Sequence, residues 1–143
     1  MADSHAPPLP LRLILIDDHD SARSALERRL VADARVTVVA STARLPEALS
    51  AVARHAPHAA LIDHRRQDGD GLYIVAQLDA LPRSHRPLVV LHSAFIDAAE
   101  WLRARQAGAD DWFLKQIGAE ALVERLGAAV RRRLPPERWQ SFA

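Results

Sequence analysis

Residues 11–22 read LRLILIDDHDSA, and this stretch decides the fold. From Leu11 to Ile16 the apolar residues run on with Arg12 as the single interruption. A strand with one wet face alternates; a run like this suits a strand covered on both faces, as in a parallel sheet. Asp17 and Asp18 end the run. Asp20 or Ser21 can then cap a helix reaching about Val31, with Ala22, Ala25, Leu26 and Leu30 as its inner stripe. A buried strand that turns through acidic residues into a helix is one βα unit.

The unit recurs along the chain. A β-branched second strand is expected over Val36–Ala40, and a helix over Leu45–His55 that ends before Pro57. Ala59–Ile62 forms the third strand and delivers Asp63; the polar loop HRRQDGDG leads into a helix from Gly71 to about Leu81. Pro82 and Pro87 bracket a surface turn. Leu88–His92 is the fourth strand, and Ile96–Gln106 the fourth helix, with Ala107-Gly108 as its stop. Asp111–Leu114 and Ala119–Arg133 complete the series, and Pro135-Pro136 ends the last helix. Strands alternating with helices predict an α/β fold with helices on both faces of a parallel sheet. Five such units fit a doubly wound five-stranded sheet of order 2-1-3-4-5 with five helices; a barrel needs eight. The expected organisation is a flexible arm over residues 1–10, one domain over 11–134, and a short tail over 135–143.

Composition narrows the function classes. Nineteen basic against eighteen acidic residues leave a net charge of +1, so bulk charge gives no argument for nucleic-acid binding. The sequence has no cysteine, which excludes disulfides and thiolate metal sites. MADSHAPPLP lacks the basic and apolar regions of a signal peptide, and no apolar run is long enough to cross a bilayer. A cytoplasmic location and no membrane partner are the expectations.

The carboxyl ends of parallel strands share one edge, where ligands bind. That edge should collect Asp17, Asp18, Asp63, Ser93 and Lys115. Three carboxylates placed together need a neutralising cation, and an oxygen donor set with room for water suits Mg²⁺. A carboxylate beside such a metal can attack a phosphoryl group to form an acyl phosphate. Ser93 could donate to one phosphoryl oxygen, and Lys115 could pair with another.

These residues resemble the receiver domain of two-component response regulators, a flavodoxin-like, chemotaxis-regulator-like module. The resemblance runs over about residues 11–133: the acidic pair in LIDDHD, Asp63 in LIDHRRQDGDGL, Ser93-Ala94 in LHSA, and Trp112 and Lys115 in AGADDWFLK. It implies that Asp63 accepts a phosphoryl group from a sensor histidine kinase, a phosphotransfer protein or a small phosphodonor. It also implies that Asp18, Asp63 and the backbone carbonyl of Arg65 ligate Mg²⁺ directly, with Asp17 acting through water. Ser93 and Trp112 become the switch residues, and Arg65 and Phe95 the side chains that tune dephosphorylation. The readout surface is helix four, strand five and helix five, open to an unknown downstream protein or a homodimer. Such a domain is a switch that handles its own phosphoryl group, with no separate substrate turned over.

The sequence departs from the family at two places. Gln67 stands where a proline is usual after the phosphoacceptor, and Gln116 follows Lys115 where the family has a cis proline. A non-proline cis bond costs about 2.5–4 kcal/mol, so the loop after Lys115 is expected to be strained or differently routed. These departures motivate a rival reading as a pseudo-receiver used for interaction or dimerisation. The start DDHDSAR and the segment RVTVVASTA look most like regulators with a C-terminal helix-turn-helix domain. The short tail leaves no room for one, so the expectation is a receiver without its own output domain and no direct nucleic-acid contact; the alternative is the receiver part of a DNA-binding transcriptional regulator. His19, His64 and His92 flank the site residues and read plainly as loop and strand-edge side chains. Trp101 is balanced between core and partner surface, and Trp139 has no evident core to fill.

Overall fold

The computed structural model describes residues 10–66 and 69–139, with residues 65, 66, 69 and 70 described by their backbone. The expected arm over residues 1–9, Gln67 and the last four residues of the tail lie outside the described residues. The strands are β1 (Leu11–Ile16), β2 (Val36–Thr42), β3 (Ala59–Asp63), β4 (Leu88–Ser93) and β5 (Asp111–Leu114). The helices are α1 (Asp20–Val31), α2 (Leu45–His55), α3 (Leu72–Asp79), α4 (Ala98–Ala107), α5 (Ala119–Arg133) and a single turn, α6 (Pro136–Trp139). All five strands pair in parallel in the order β2-β1-β3-β4-β5, the flavodoxin-like arrangement. Arg65–Arg66 and Gly69–Asp70 add a small antiparallel pairing in the loop after β3.

The sheet separates two apolar layers, which is why its central strands carry so few polar residues. Leu11, Leu13 and Leu15 face one layer with Phe113 and the α5 residues Leu122, Leu126 and Val130. Ile14 and Ile16 face the other, with Val52 of α2, Val75 and Leu78 of α3 and Ala104 of α4. Alternate residues of one strand thus serve opposite layers. The chain leaves β1 for β2 on one side and returns to β3 on the other. This reversal opens the sheet's carboxyl edge between β1 and β3.

Several local expectations change. His19, not Asp20 or Ser21, occupies the α1 N-cap position and makes no side-chain cap. Ala22 is exposed, Ala25 and Leu26 are half-buried, and Leu30 alone of the expected stripe is buried. α3 is shorter than expected because Gly71 is its N-cap and Ala80 its C-cap. α4 begins at Ala98, behind an Asp97 cap, so Ile96 lies before it. Gly108 ends α4 in the left-handed region at φ 119°, as its place after the helix implied.

The turn between Pro82 and Pro87 also holds a buried group. Arg86 donates to Asp79 (3.0 Å), Asp110 (2.9 Å), the Pro87 carbonyl (3.0 Å) and the Gly108 carbonyl (2.6 Å). The described part of the tail, residues 135–139, stays on the domain. Trp139 packs against the α5-side layer and donates from Nε1 to the Leu134 carbonyl at 2.9 Å. Arg138 donates to the Arg83 carbonyl at 2.7 Å. Among the described residues, no helix is long and apolar enough to cross a membrane.

Candidate functional site

The sheet's carboxyl edge gathers most of the expected residues. β1 ends at Ile16 and the Asp17 N–H donates to the Thr42 carbonyl at 3.0 Å, so the acidic pair begins where β1 and β2 part. Arg23 of α1 reaches back to donate to the Asp17 carbonyl, and its Nε donates to Ser41 Oγ at 2.9 Å. This clamp fixes the turn that lets neighbouring carboxylates face one edge. Asp63, the last residue of β3, is 4% exposed.

Lys115 approaches from the end of β5. Its backbone N–H donates to the Ser93 carbonyl at 2.8 Å, and its Nζ lies 2.7 Å from Asp63 Oδ1 and 3.8 Å from Asp17 Oδ2. A histidine, read from the sequence as a plain loop residue, also faces the carboxylates. His19 Nδ1 lies 3.1 Å from Asp17 Oδ1, 3.2 Å from Asp18 Oδ1 and 3.3 Å from Asp63 Oδ2. Its pKa is raised above the usual histidine value, first by the hydrogen bond with Asp17 and then by the charges of Asp17, Asp63 and Asp18; partial desolvation opposes this. The signal for it was its adjacency to the acidic pair: the Asp17 side chain accepts the His19 backbone N–H at 2.9 Å and folds the ring back over the carboxylates.

One donor atom from each of Asp17, Asp18, His19 and Asp63 lies within 4.8 Å of the others. Asp63 Oδ2 is buried and accepts no hydrogen bond from the described residues. Converging carboxylate oxygens of this kind fit a hard divalent cation such as Mg²⁺. Arg65, the expected carbonyl ligand, is placed by its backbone pairing with Asp70.

Ser93 and Trp112 stand apart from the carboxylates. Ser93 is buried, and its Oγ donates to the Phe95 carbonyl at 2.6 Å and accepts the Phe95 N–H at 3.2 Å. The hydroxyl is thus turned into the loop before α4. Phe95 itself is exposed. Trp112 packs against the α4-side layer and lines a cleft of about 500 Å³ with Leu114, Gln116 and Arg125. Gln116 sits in a trans-linked turn, where Ile117 N–H donates to the Leu114 carbonyl at 3.1 Å and Gln116 Nε2 approaches the Ala94 carbonyl at 3.5 Å. Of the two routes open to that loop, the structure takes the differently routed one.

His64 and His92 are both buried. His64 pairs through Nε2 with Glu100 Oε2 at 3.0 Å. Burial, with Lys115 nearby, pushes the His92 pKa down to about 4.

Known proteins are similar over the same span. The family model described as the response regulator receiver domain matches residues 13–127. The response regulator MprA of Mycolicibacterium vanbaalenii is 31% identical over 129 residues, covering 90% of this chain and 54% of that protein. The transcriptional regulatory protein KdpE of Mycobacterium tuberculosis is 33% identical over 120 residues, covering 84% of this chain and 51% of its own. The chain therefore spans about half the length of these relatives. Among solved structures, the signal receiver domain of the putative response regulator NarL from Mycobacterium tuberculosis superposes with a TM-score of 0.76 at 28% identity, covering 88% of this chain and all of that one. Sheet order, the acidic edge and these matches agree, and the chain belongs to the response regulator receiver domain family.

Proposed function

We propose that the protein is a phosphorylation-dependent switch whose phosphoacceptor is Asp63. One observation carries this reading: a buried carboxylate at the end of β3, paired with Lys115 and within reach of Asp17 and Asp18. An Asp63 carboxylate oxygen attacks phosphorus in a phosphohistidine of a sensor kinase or phosphotransfer protein, or in a small acyl phosphate. The new P–O bond forms as the bond to the donor breaks, and the donor leaves with the electron pair.

Asp17, Asp18, Asp63 and the Arg65 carbonyl would hold Mg²⁺, with Asp17 acting through water. Bound there, the ion would offset the charge of the carboxylates and the incoming phosphoryl oxygens. Lys115 supplies a positive charge from the opposite side, and its ammonium can move from Asp63 to a phosphoryl oxygen. Ser93 leaves Phe95 and donates to another phosphoryl oxygen. The vacated space lets Trp112 change rotamer, and the face formed by α4, β5 and α5 changes shape for a downstream protein or a second copy. Arg65 and Phe95 stand two residues beyond Asp63 and Ser93 and tune access of water to the acyl phosphate. The kinase and target are cytoplasmic in this reading, and the switch turns over no separate substrate.

The test is phosphoryl incorporation from acetyl phosphate, with intact mass and phosphate-affinity electrophoresis as readouts. The wild type should gain one phosphoryl group with Mg²⁺ present and none after chelation, and Asp63→Ala should gain none. If neither acetyl phosphate, nor a panel of kinases, nor beryllofluoride modifies or perturbs the wild type, the reading fails.

A further inference from the structure

We infer that His64 and Glu100 are a positioning pair that couples the state of Asp63 to the placement of α4. The inference rests on the phosphoacceptor reading above. His64 follows Asp63 directly in the chain and is 4% exposed. Its backbone is held on both sides: its N–H donates to the His92 carbonyl at 3.1 Å, and its carbonyl accepts the Gly71 N–H at 2.9 Å. The ring is therefore carried by β3, by its partner strand β4 and by the start of α3.

A carboxylate can only accept, so the ring proton facing Glu100 lies on Nε2 of His64, 3.0 Å from Oε2. Glu100 stands in the first turn of α4, and its other oxygen accepts the Asp97 N–H at 3.4 Å. Asp97 Oδ1 in turn accepts the Glu100 N–H at 2.7 Å. One carboxylate thus joins the residue beside Asp63 to the capping box that starts α4.

A second handle holds the same loop. Ser93 Oγ binds both backbone groups of Phe95, two residues before the Asp97 cap. When Ser93 turns toward a phosphoryl group it releases that hold, and the loop over residues 94–97 loses an anchor. The His64–Glu100 pair stays, because neither side chain is needed at the phosphoryl group. The first turn of α4 then remains tied to β3 while the loop before it rearranges. Coupling of this kind needs an element with two discrete arrangements that both ends bias; α4 and its N-terminal loop are that element.

The experiment compares amide exchange across residues 98–107 before and after acetyl phosphate treatment. Phosphoryl incorporation is measured separately on each sample. In the wild type, modification should alter α4 exchange by roughly fivefold or more. His64→Leu should incorporate phosphate as the wild type does yet show less than half of that response. Glu100→Gln keeps one oxygen to accept the Asp97 N–H and presents its amide N–H to His64, which can accept it on Nε2 in the other tautomer, so the response should be retained. Asp97→Ala breaks the capping box without touching His64; it should speed exchange in both states and preserve their ratio. A His64→Leu protein that incorporates phosphate and gives the full α4 response overturns the pair. Loss of the ratio in Asp97→Ala as well would assign the effect to the cap and also overturn it. Failure of the wild type to incorporate phosphate would instead overturn the phosphoacceptor reading, and this inference with it.

Discussion

Gly71 works under a constraint set by the backbone of Asp63 itself. A Cβ at this position would meet the Asp63 carbonyl oxygen at 2.9 Å and Ile62 Cγ2 at 3.2 Å. Neither neighbour is the free end of a flexible side chain, so a methyl group forces the loop after β3 away from the strand. Gly71→Ala should lower stability by roughly 1–3 kcal/mol, read as the denaturant midpoint, and should slow phosphoryl incorporation because Asp63 moves with its carbonyl. The residues that supply charge were readable because type and position agreed: Asp17, Asp18, Asp63 and Lys115 each end an apolar run. His19 and His64 were not, because their roles depend on side-chain direction. His19 folds back over its own carboxylates, and His64 points across to a helix thirty-six residues further on.

The elements were legible wherever burial on two faces left a continuous apolar run, as in β1, β3 and β4. α5 was equally plain, since it pairs an apolar stripe with three arginines, Arg131 to Arg133, that suit its C-terminal dipole. The segment between α3 and β4 was read as a surface turn from its two prolines, and residues 82–85 form that exposed turn, but the buried Arg86 within it was not legible. No local pattern shows that Arg86 turns inward to bind Asp79 of α3 and Asp110 and the Gly108 carbonyl of the α4–β5 connection, besides the adjacent Pro87 carbonyl. Removing Arg86 takes a buried donor from Asp110 and the Gly108 carbonyl, while Asp79 remains well exposed to water, so Arg86→Ala should destabilise the fold by about 1–3 kcal/mol. Differential scanning calorimetry would read this as a clear fall in Tm. Because the network lies at the edge away from Asp63, beryllofluoride binding by the folded fraction should be unchanged.

At the scale of the whole molecule, two buried histidines set the acid limit. His58 accepts the Arg12 N–H on Nδ1 at 2.9 Å, and burial, aided by Arg12 and Arg138, pushes its pKa down to about 4. His92 is also down at about 4, from burial and the nearby Lys115 and Arg29, with Asp17 opposing. Between the ordinary histidine value of about 6.5 and 4, the unfolded chain binds protons that the folded chain refuses. Stability therefore falls as pH drops through that window, by up to roughly 3 kcal/mol for each group, and these two sites contribute no slope above it. His19, with its raised pKa, acts in the opposite sense: its contribution is present below 6.5 and fades as pH rises past its folded value. His58→Asn keeps an acceptor for Arg12 and removes the titration. Its urea midpoint should fall less than that of the wild type between about pH 7 and about pH 4.5, and equal falls would refute the assignment.

The α6 turn gives the molecule a remote attachment point. Arg138 is bound to the Arg83 carbonyl just ahead of β4, at the edge where Arg12 and His58 also meet, whereas Asp63 lies at the other end of β3. A five-residue strand separates the two edges by roughly 17 Å. The sequence has no cysteine, and Glu137 is exposed, so Glu137→Cys would offer a single thiol for a dye or a surface tether. A receiver held there presents its acidic edge to the solution, free for phosphodonors and partners to reach.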